Sequence, residues 1–137
     1  MADKFFLQNN VWQAMVRHVN ACLPNEACGL IGGTDSIGII ALPVPNVLNS
    51  PTKFRMHPEK QLEGFLILEE LCLDLLVIYH SHPNGPPHPS STDLASHFYP
   101  DVFSLILFQN QTGWCGRLFK IDAKTFIEIH IEITKYA

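Results

Sequence analysis

Apolar positions change period several times along this 137-residue chain, and each change marks a predicted element. Val11, Trp12, Met15, Val19 and Cys22 fall near one helical face; Asn9 or Asn10 stands where a cap belongs, and Pro24 where the helix must stop. Apolar runs over 26–33 and 37–44, joined at Thr34-Asp35-Ser36, predict a hairpin. Pro43 and Pro45 keep the end of the second run out of a central strand position. Residues 46–51 are loop chemistry, and Lys53 to Met56 read as a short strand.

Pro58 opens a second helix at the one position where a missing N–H costs nothing, with Leu62, Phe65, Leu66, Glu69 and Leu73 spaced for one partly buried face. The apolar run that begins at Leu71 gives a buried strand over 75–81, followed by the Pro/Gly-rich loop 83–89. Ser90 or Ser91 starts a short helix ending before Pro100, and Val102 to Phe108 is a strand. The turn Asn110-Gln111-Thr112-Gly113 leads to a strand over 114–121. From Phe126 to Ile133 the pattern alternates strictly, Ile127, Ile129, Ile131 and Ile133 against Glu128, His130 and Glu132, as on a half-exposed strand outside a sheet. The expected architecture is one α/β (α+β) domain over residues 1–137: a mixed curved β-sheet flanked by two main helices.

Composition narrows the classes. Hydrophobic residues make up 47% and charged residues 16%, as in a compact globule with a real core. The formal charge is −4 and the cations are scattered; nucleic-acid partners need a basic stripe and are excluded. The run near Leu71 to Tyr79 is interrupted by Asp74 and falls short of the ~20 residues that span a membrane. Met-Ala-Asp-Lys-Phe-Phe does not begin a signal peptide, so cytoplasmic residence is expected. Cys22, Cys28, Cys72 and Cys115 show no Cys-x-x-Cys spacing and read as reduced core residues. The absence of a Pro-Cys-x-x-Cys string argues against a nucleoside deaminase.

The chemistry concentrates in 80–93, His-Ser-His-Pro-Asn-Gly-Pro-Pro-His-Pro-Ser-Ser-Thr-Asp. Side chains two apart on a strand share a face, so His80 and His82 can offer ring nitrogens to one ion. Asp93, in the first turn of the short helix, is placed to supply a third ligand. Three protein ligands with an open position for water make the catalytic form of a zinc site, not the structural one. A bare His-x-His arises roughly 0.3 times in a random chain with this many histidines, but adding Pro83, Ser90 and Asp93 takes the joint expectation below about one in ten thousand. Ser-x-x-Asp is also a near capping box, so Ser90 and Asp93 have a helix-starting role beside any catalytic one. Ser81 faces away from the two histidines and reads as packing. His88 reads as a solvated loop residue, and His18, His97 and His130 as structural or solvated.

The string His-x-His-Pro-x6-Ser-x-x-Asp, with the upstream Glu26 in Glu-Ala-Cys-Gly-Leu-Ile-Gly-Gly, resembles the JAMM/MPN+ (Mov34/MPN/PAD-1-like) metalloprotease family. The order of predicted elements resembles that family over most of residues 10–134. The resemblance implies an MPN/cytidine-deaminase-like fold and a zinc-dependent peptidase or isopeptidase. It implies His80, His82 and Asp93 as metal ligands, Glu26 as general base and Ser90 as a transition-state stabiliser. His57 stands where similar bacterial members are expected to carry Asp. Only eight residues separate Asp93 from Val102, without the insertion that helps hold ubiquitin in eukaryotic deubiquitinases. The chain is therefore similar to the short prokaryotic type, which implies an amide bond at the C-terminal Gly-Gly of a ubiquitin-like or sulfur-carrier protein as substrate. The rival readings are a non-catalytic interaction module of the same fold, and a metal-dependent hydrolase of a small molecule or short peptide.

Overall fold

The computed structural model describes residues 4–135, which form β1 (Lys4–Leu7), α1 (Asn9–Ala21), β2 (Cys28–Thr34), β3 (Ile37–Val44), α2 (Pro58–Glu70), β4 (Asp74–His82), α3 (Ser91–Ala95), β5 (Phe103–Asn110), β6 (Gly113–Asp122) and β7 (Thr125–Ile133). The strands pair in the order β1-β3-β2-β4-β5-β6-β7, and β1 closes the sheet by running parallel to both β3 and β7. The mixed sheet is expected from the sequence, but its closing strand is not. Lys4 to Leu7 is too short to show a period, although Phe5 and Leu7 are buried.

Two apolar clusters lie on opposite faces of the curved sheet. On one, Val11, Met15 and Val19 of α1 pack against Ile31, Val77, Tyr79, Leu105 and Leu118. On the other, Cys28, Leu30, Val44 and Met56 form a smaller cluster with Phe54, Phe65 and Ile78 against it. Strand alternation on β4 serves both: Val77, Tyr79 and Ser81 face α1, while Ile78, His80 and His82 face the other way. Gly29 pairs with Tyr79 across β2 and β4, and a Cβ there would land on the Tyr79 ring.

Several local expectations need correction. Neither Asn9 nor Asn10 caps α1; Gln8 holds the N-cap position without a side-chain hydrogen bond. The inward face of α2 is Gly64 and Leu68, whereas Leu62 and Leu66 are 57% and 56% exposed. A Cβ on Gly64 would lie 2.7 Å from Leu30 Cδ1, so the helix approaches the sheet through a residue that hydrophobic spacing cannot see. Lys53 to Met56 forms only a single bridge, Asn46 to Met56. On β7 only Ile129 is buried and Ile131 half-buried, while Ile127 and Ile133 are exposed. All four cysteines are free, but only Cys28 is fully buried and Cys72 is exposed. The described residues contain no helix long and apolar enough to cross a membrane.

Candidate metal centre

The start of β2 and the end of β4 meet in antiparallel register, with Cys28 opposite His80. Glu26 lies just ahead of β2 and is held there from two sides. The Ala27 N–H donates to Ser81 Oγ at 2.8 Å, and the Ser81 N–H donates to the Ala27 carbonyl at 3.0 Å. Asn46 Nδ2 donates to the Glu26 carbonyl at 3.0 Å, while the Glu26 N–H donates to the Ser50 carbonyl at 2.8 Å. Ser81, fully buried, is thus structural, as its side of the strand implies, and its work is to fix the segment that carries Glu26.

His80 Nε2 and His82 Nε2 lie 3.1 Å apart, and Asp93 Oδ2 is 3.2 Å from the first and 3.1 Å from the second. The ligand atoms of Glu26, His80 and His82 all fall within 4.8 Å of one another, so Glu26 stands at the rim of the same cluster. Glu26, His80 and His82 are 4%, 2% and 3% exposed, so each charge or lone pair left without a partner there is costly. Glu26 Oε1 has no hydrogen-bond partner. The Phe54 ring stacks on the His80 imidazole at 4.5 Å and closes that side.

This donor set fits a small divalent ion. Ligands at about 2.0–2.1 Å from one tetrahedral centre stand about 3.3 Å apart, close to the spacing of the two imidazoles and the carboxylate. His82 Nδ1–H donates to the Pro86 carbonyl at 2.6 Å, a partner that can only accept, so the Nε2 lone pair is left facing the cluster. Two imidazole nitrogens, one carboxylate oxygen and an unpartnered buried acid converge on one point.

Ser90 caps α3 through a reciprocal pair: its N–H donates to Asp93 Oδ2 at 2.9 Å, and its Oγ accepts from the Asp93 N–H at 3.0 Å. The capping role read from the sequence is present. One oxygen of Asp93, Oδ2, serves both the cap and the cluster.

Burial pushes the Glu26 carboxyl up to about 7, with the His82 charge pulling the other way and Asp93 adding to the rise. Burial is also the largest influence on Asp93, but hydrogen bonds from His80, His82 and the Ser90 N–H outweigh it and hold the carboxyl far below the usual range. Burial lowers His80. On His82 burial is outweighed by its bonds to Asp93 and Pro86 and by the neighbouring negative charges, so its pKa is raised.

The remaining histidines stay outside the cluster. His57 is the N-cap of α2, its Nδ1 accepting from the Lys60 N–H. His88 stacks on Phe126, His97 Nε2 donates to the Tyr99 carbonyl, and His18 Nδ1 lies 2.7 Å from the Tyr79 hydroxyl. A groove of about 520 Å³ leads to His80 and Asp93, lined in part by Phe54, Met56, Ile78 and Tyr99. Sequence reading missed Phe54 and the groove; only the apolar character of Phe54 hinted at either.

Comparison with known proteins agrees with the geometry. The family described as prokaryotic homologs of the JAB domain matches residues 8–122. The chain is 32% identical over 96 residues to the CysO-cysteine peptidase of Mycobacterium tuberculosis, a match spanning 69% of this chain and 66% of that protein. It is 42% identical over 72 residues to a probable TtuB-protein conjugate cleaving protease of Thermus thermophilus, spanning 52% of this chain and 48% of that one. The chain thus covers less than two thirds of these relatives' length. A solution structure of a protein from Desulfitobacterium hafniense superposes with a TM-score of 0.86 at 30% identity, covering 95% of this chain and 92% of that one. With the family matched from the start of α1 to the end of β6, this chain belongs to the prokaryotic JAB (JAMM/MPN+) domain family.

Proposed function

We propose that this chain is a single-domain zinc metallopeptidase that hydrolyses the amide bond following the C-terminal Gly-Gly of a ubiquitin-like or sulfur-carrier protein in the cytoplasm. The observation that carries the reading is the 3.1–3.2 Å triangle of His80 Nε2, His82 Nε2 and Asp93 Oδ2, with the unpartnered Glu26 carboxyl at its rim. Zinc bound by these three residues would supply a Lewis acid for the scissile carbonyl and make water a stronger acid near neutral pH. Glu26, tuned toward neutrality by burial, accepts a proton from the attacking water and passes it to the leaving amine. Ser90 Oγ accepts from the Asp93 N–H, so its own hydrogen is free to donate to the developing oxyanion.

The groove favours an extended tail. The Arg55 carbonyl accepts from the Val47 N–H and the His57 N–H donates to the Pro45 carbonyl, so these groups of segment 53–57 face residues 45–47. By strand alternation the main-chain groups of Phe54 and Met56 face the other way, toward the groove that both residues line. A tail lying there gains main-chain hydrogen bonds, as in strand addition. Glycines suit the final positions because, without side chains, their backbone can approach the metal closely. The names of the mycobacterial and Thermus relatives, which refer to CysO-cysteine and TtuB conjugates, support the same substrate class.

The test is mass spectrometry of zinc-loaded protein incubated with carrier proteins extended beyond a C-terminal Gly-Gly. Cleavage immediately after the second glycine, lost when both glycines are replaced by leucine, is expected. Equal cleavage of the leucine version, or no cleavage of any carrier, overturns the substrate assignment.

A further inference from the structure

Two successive carbonyls of the loop between β4 and α3 are used in different directions. The Pro86 carbonyl accepts from His82 Nδ1–H at 2.6 Å. The Pro87 carbonyl accepts from Arg117 Nη1 at 3.1 Å. Arg117 sits on β6 and is gripped by Glu128 of β7 through two parallel bonds, Nε to Oε2 at 3.0 Å and Nη2 to Oε1 at 2.7 Å. Its guanidinium also lies 5.4 Å from the Phe119 ring centre. The next loop residue, His88, stacks on Phe126 at 6.2 Å with the rings within 9° of parallel, and Phe126 packs edge-on against Phe119. The loop is thus fastened to the β6–β7 hairpin at two consecutive residues, directly after the one whose carbonyl fixes the His82 tautomer.

We propose that Arg117, held by Glu128, is a positioning residue for the metal centre. By fixing Pro87 it keeps the Pro86 carbonyl on His82 Nδ1, and so keeps the His82 Nε2 lone pair aimed at His80 and Asp93. This rests on the reading of His82 as a ligand. A half-exposed ion pair contributes little to global stability, so the consequence of this one is local. Outer partners of ligating histidines fix ring orientation and basicity, and their loss typically weakens metal affinity. The guanidinium fork suits the task because two donors engage Glu128 while a third reaches Pro87, a division that an ammonium cannot reproduce in full.

The experiment measures the zinc dissociation constant of the metal-free chain by competition with a chromogenic chelator, together with its melting temperature and the NMR signal of the His82 Nδ1 proton. Arg117→Gln is expected to weaken zinc binding roughly 10–100-fold and to broaden or lose that proton signal. Arg117→Lys should recover part of the affinity, and Glu128→Gln should weaken it by a smaller factor with Arg117 still in place. Lys60→Gln breaks the exposed pair with Glu63 on α2 and should change nothing. Zinc affinity within twofold of wild type in Arg117→Gln, with only the melting temperature lowered, overturns the positioning role. Should Arg117→Gln not fold, unchanged affinity in Glu128→Gln overturns it instead. Failure of the underlying reading is separate: it is recognised by full zinc binding in the His80→Ala, His82→Ala double variant.

Discussion

Ser90 and Asp93 cap one another, and the oxygen of Asp93 that receives the Ser90 N–H is the same Oδ2 that lies 3.1 Å from His82 Nε2. The start of a five-residue helix and the third corner of the proposed metal centre are therefore one hydrogen-bonded unit. Burial acts to raise the Asp93 pKa, but the bonds to His80 and His82 and, as a smaller contribution, the Ser90 N–H hold it low, and that N–H also fixes the direction of Oδ2. The helix itself is too short to stand alone; the capping pair is what places Asp93.

Replacing Ser90 separates the two duties. Ser90→Ala removes the acceptor for the Asp93 N–H and the donor proposed for the oxyanion, but leaves the Ser90 N–H on Asp93 Oδ2. Loss of the cap should cost about 0.5–2 kcal/mol of stability. Loss of the donor should lower kcat by roughly 10²-fold or more with a small change in KM. Steady-state kinetics on a carrier fusion and a thermal melt check both. A lowered melting temperature with unchanged kcat would confine Ser90 to capping.

Glu26 and the histidines should part company when metal content and turnover are measured together. The three proposed ligand atoms are 3.1–3.2 Å apart, whereas Glu26 belongs to a looser group within 4.8 Å. Protein purified without chelator should carry one zinc per chain, and the His80→Ala, His82→Ala double variant none. Glu26→Gln keeps the shape and removes the proton acceptor, so it should retain zinc and the fold while kcat falls roughly 10²–10⁴-fold. Near-normal kcat in this variant would require another base. Loss of its zinc would make Glu26 a ligand.

The candidate site is legible in the sequence because its residues lie close together along the chain. His80, His82, Pro83, Ser90 and Asp93 lie within one strand, one loop and one helical turn, and strand alternation alone puts both imidazoles on one face. Glu26 is distant in sequence, and it was the resemblance that singled it out; the pairing of β2 with β4 brings it to the cluster. What escaped were features made by tertiary contact. Phe54 lies outside any regular element, yet it covers His80. The burial of Gly64 beside exposed Leu62 and Leu66 turns the inward face of α2 away from the one hydrophobic spacing suggests, leaving Phe65 at its edge, and close approach to Leu30 leaves no room for a side chain at Gly64. The four-residue β1 carries too few positions for a period, and its place between β3 and β7 is set by partners far along the chain.

The pair formed by His18 and Tyr79 gives a prediction independent of metal and substrate. Tyr79 is fully buried, and burial raises its pKa, so the hydroxyl keeps its proton and donates to neutral His18 Nδ1 at 2.7 Å. Burial also lowers the His18 pKa from its ordinary 6.5. The unfolded chain therefore takes up this proton at higher pH than the folded one. The stability linked to neutral His18 is fully present above about pH 6.5 and is lost as the pH falls toward the lowered folded value. His18→Gln retains an acceptor for Tyr79 but does not titrate. Denaturant melts of metal-free wild type and variant from pH 8 to pH 5 should give a stability difference that is flat above 6.5 and falls below it, with wild type losing ground. Taking the difference cancels the titration of Glu26, His80 and His82. A difference constant over the whole range would mean that His18 binds its proton equally well in both states, and one that moved in favour of wild type on acidification would reverse the sign of the shift.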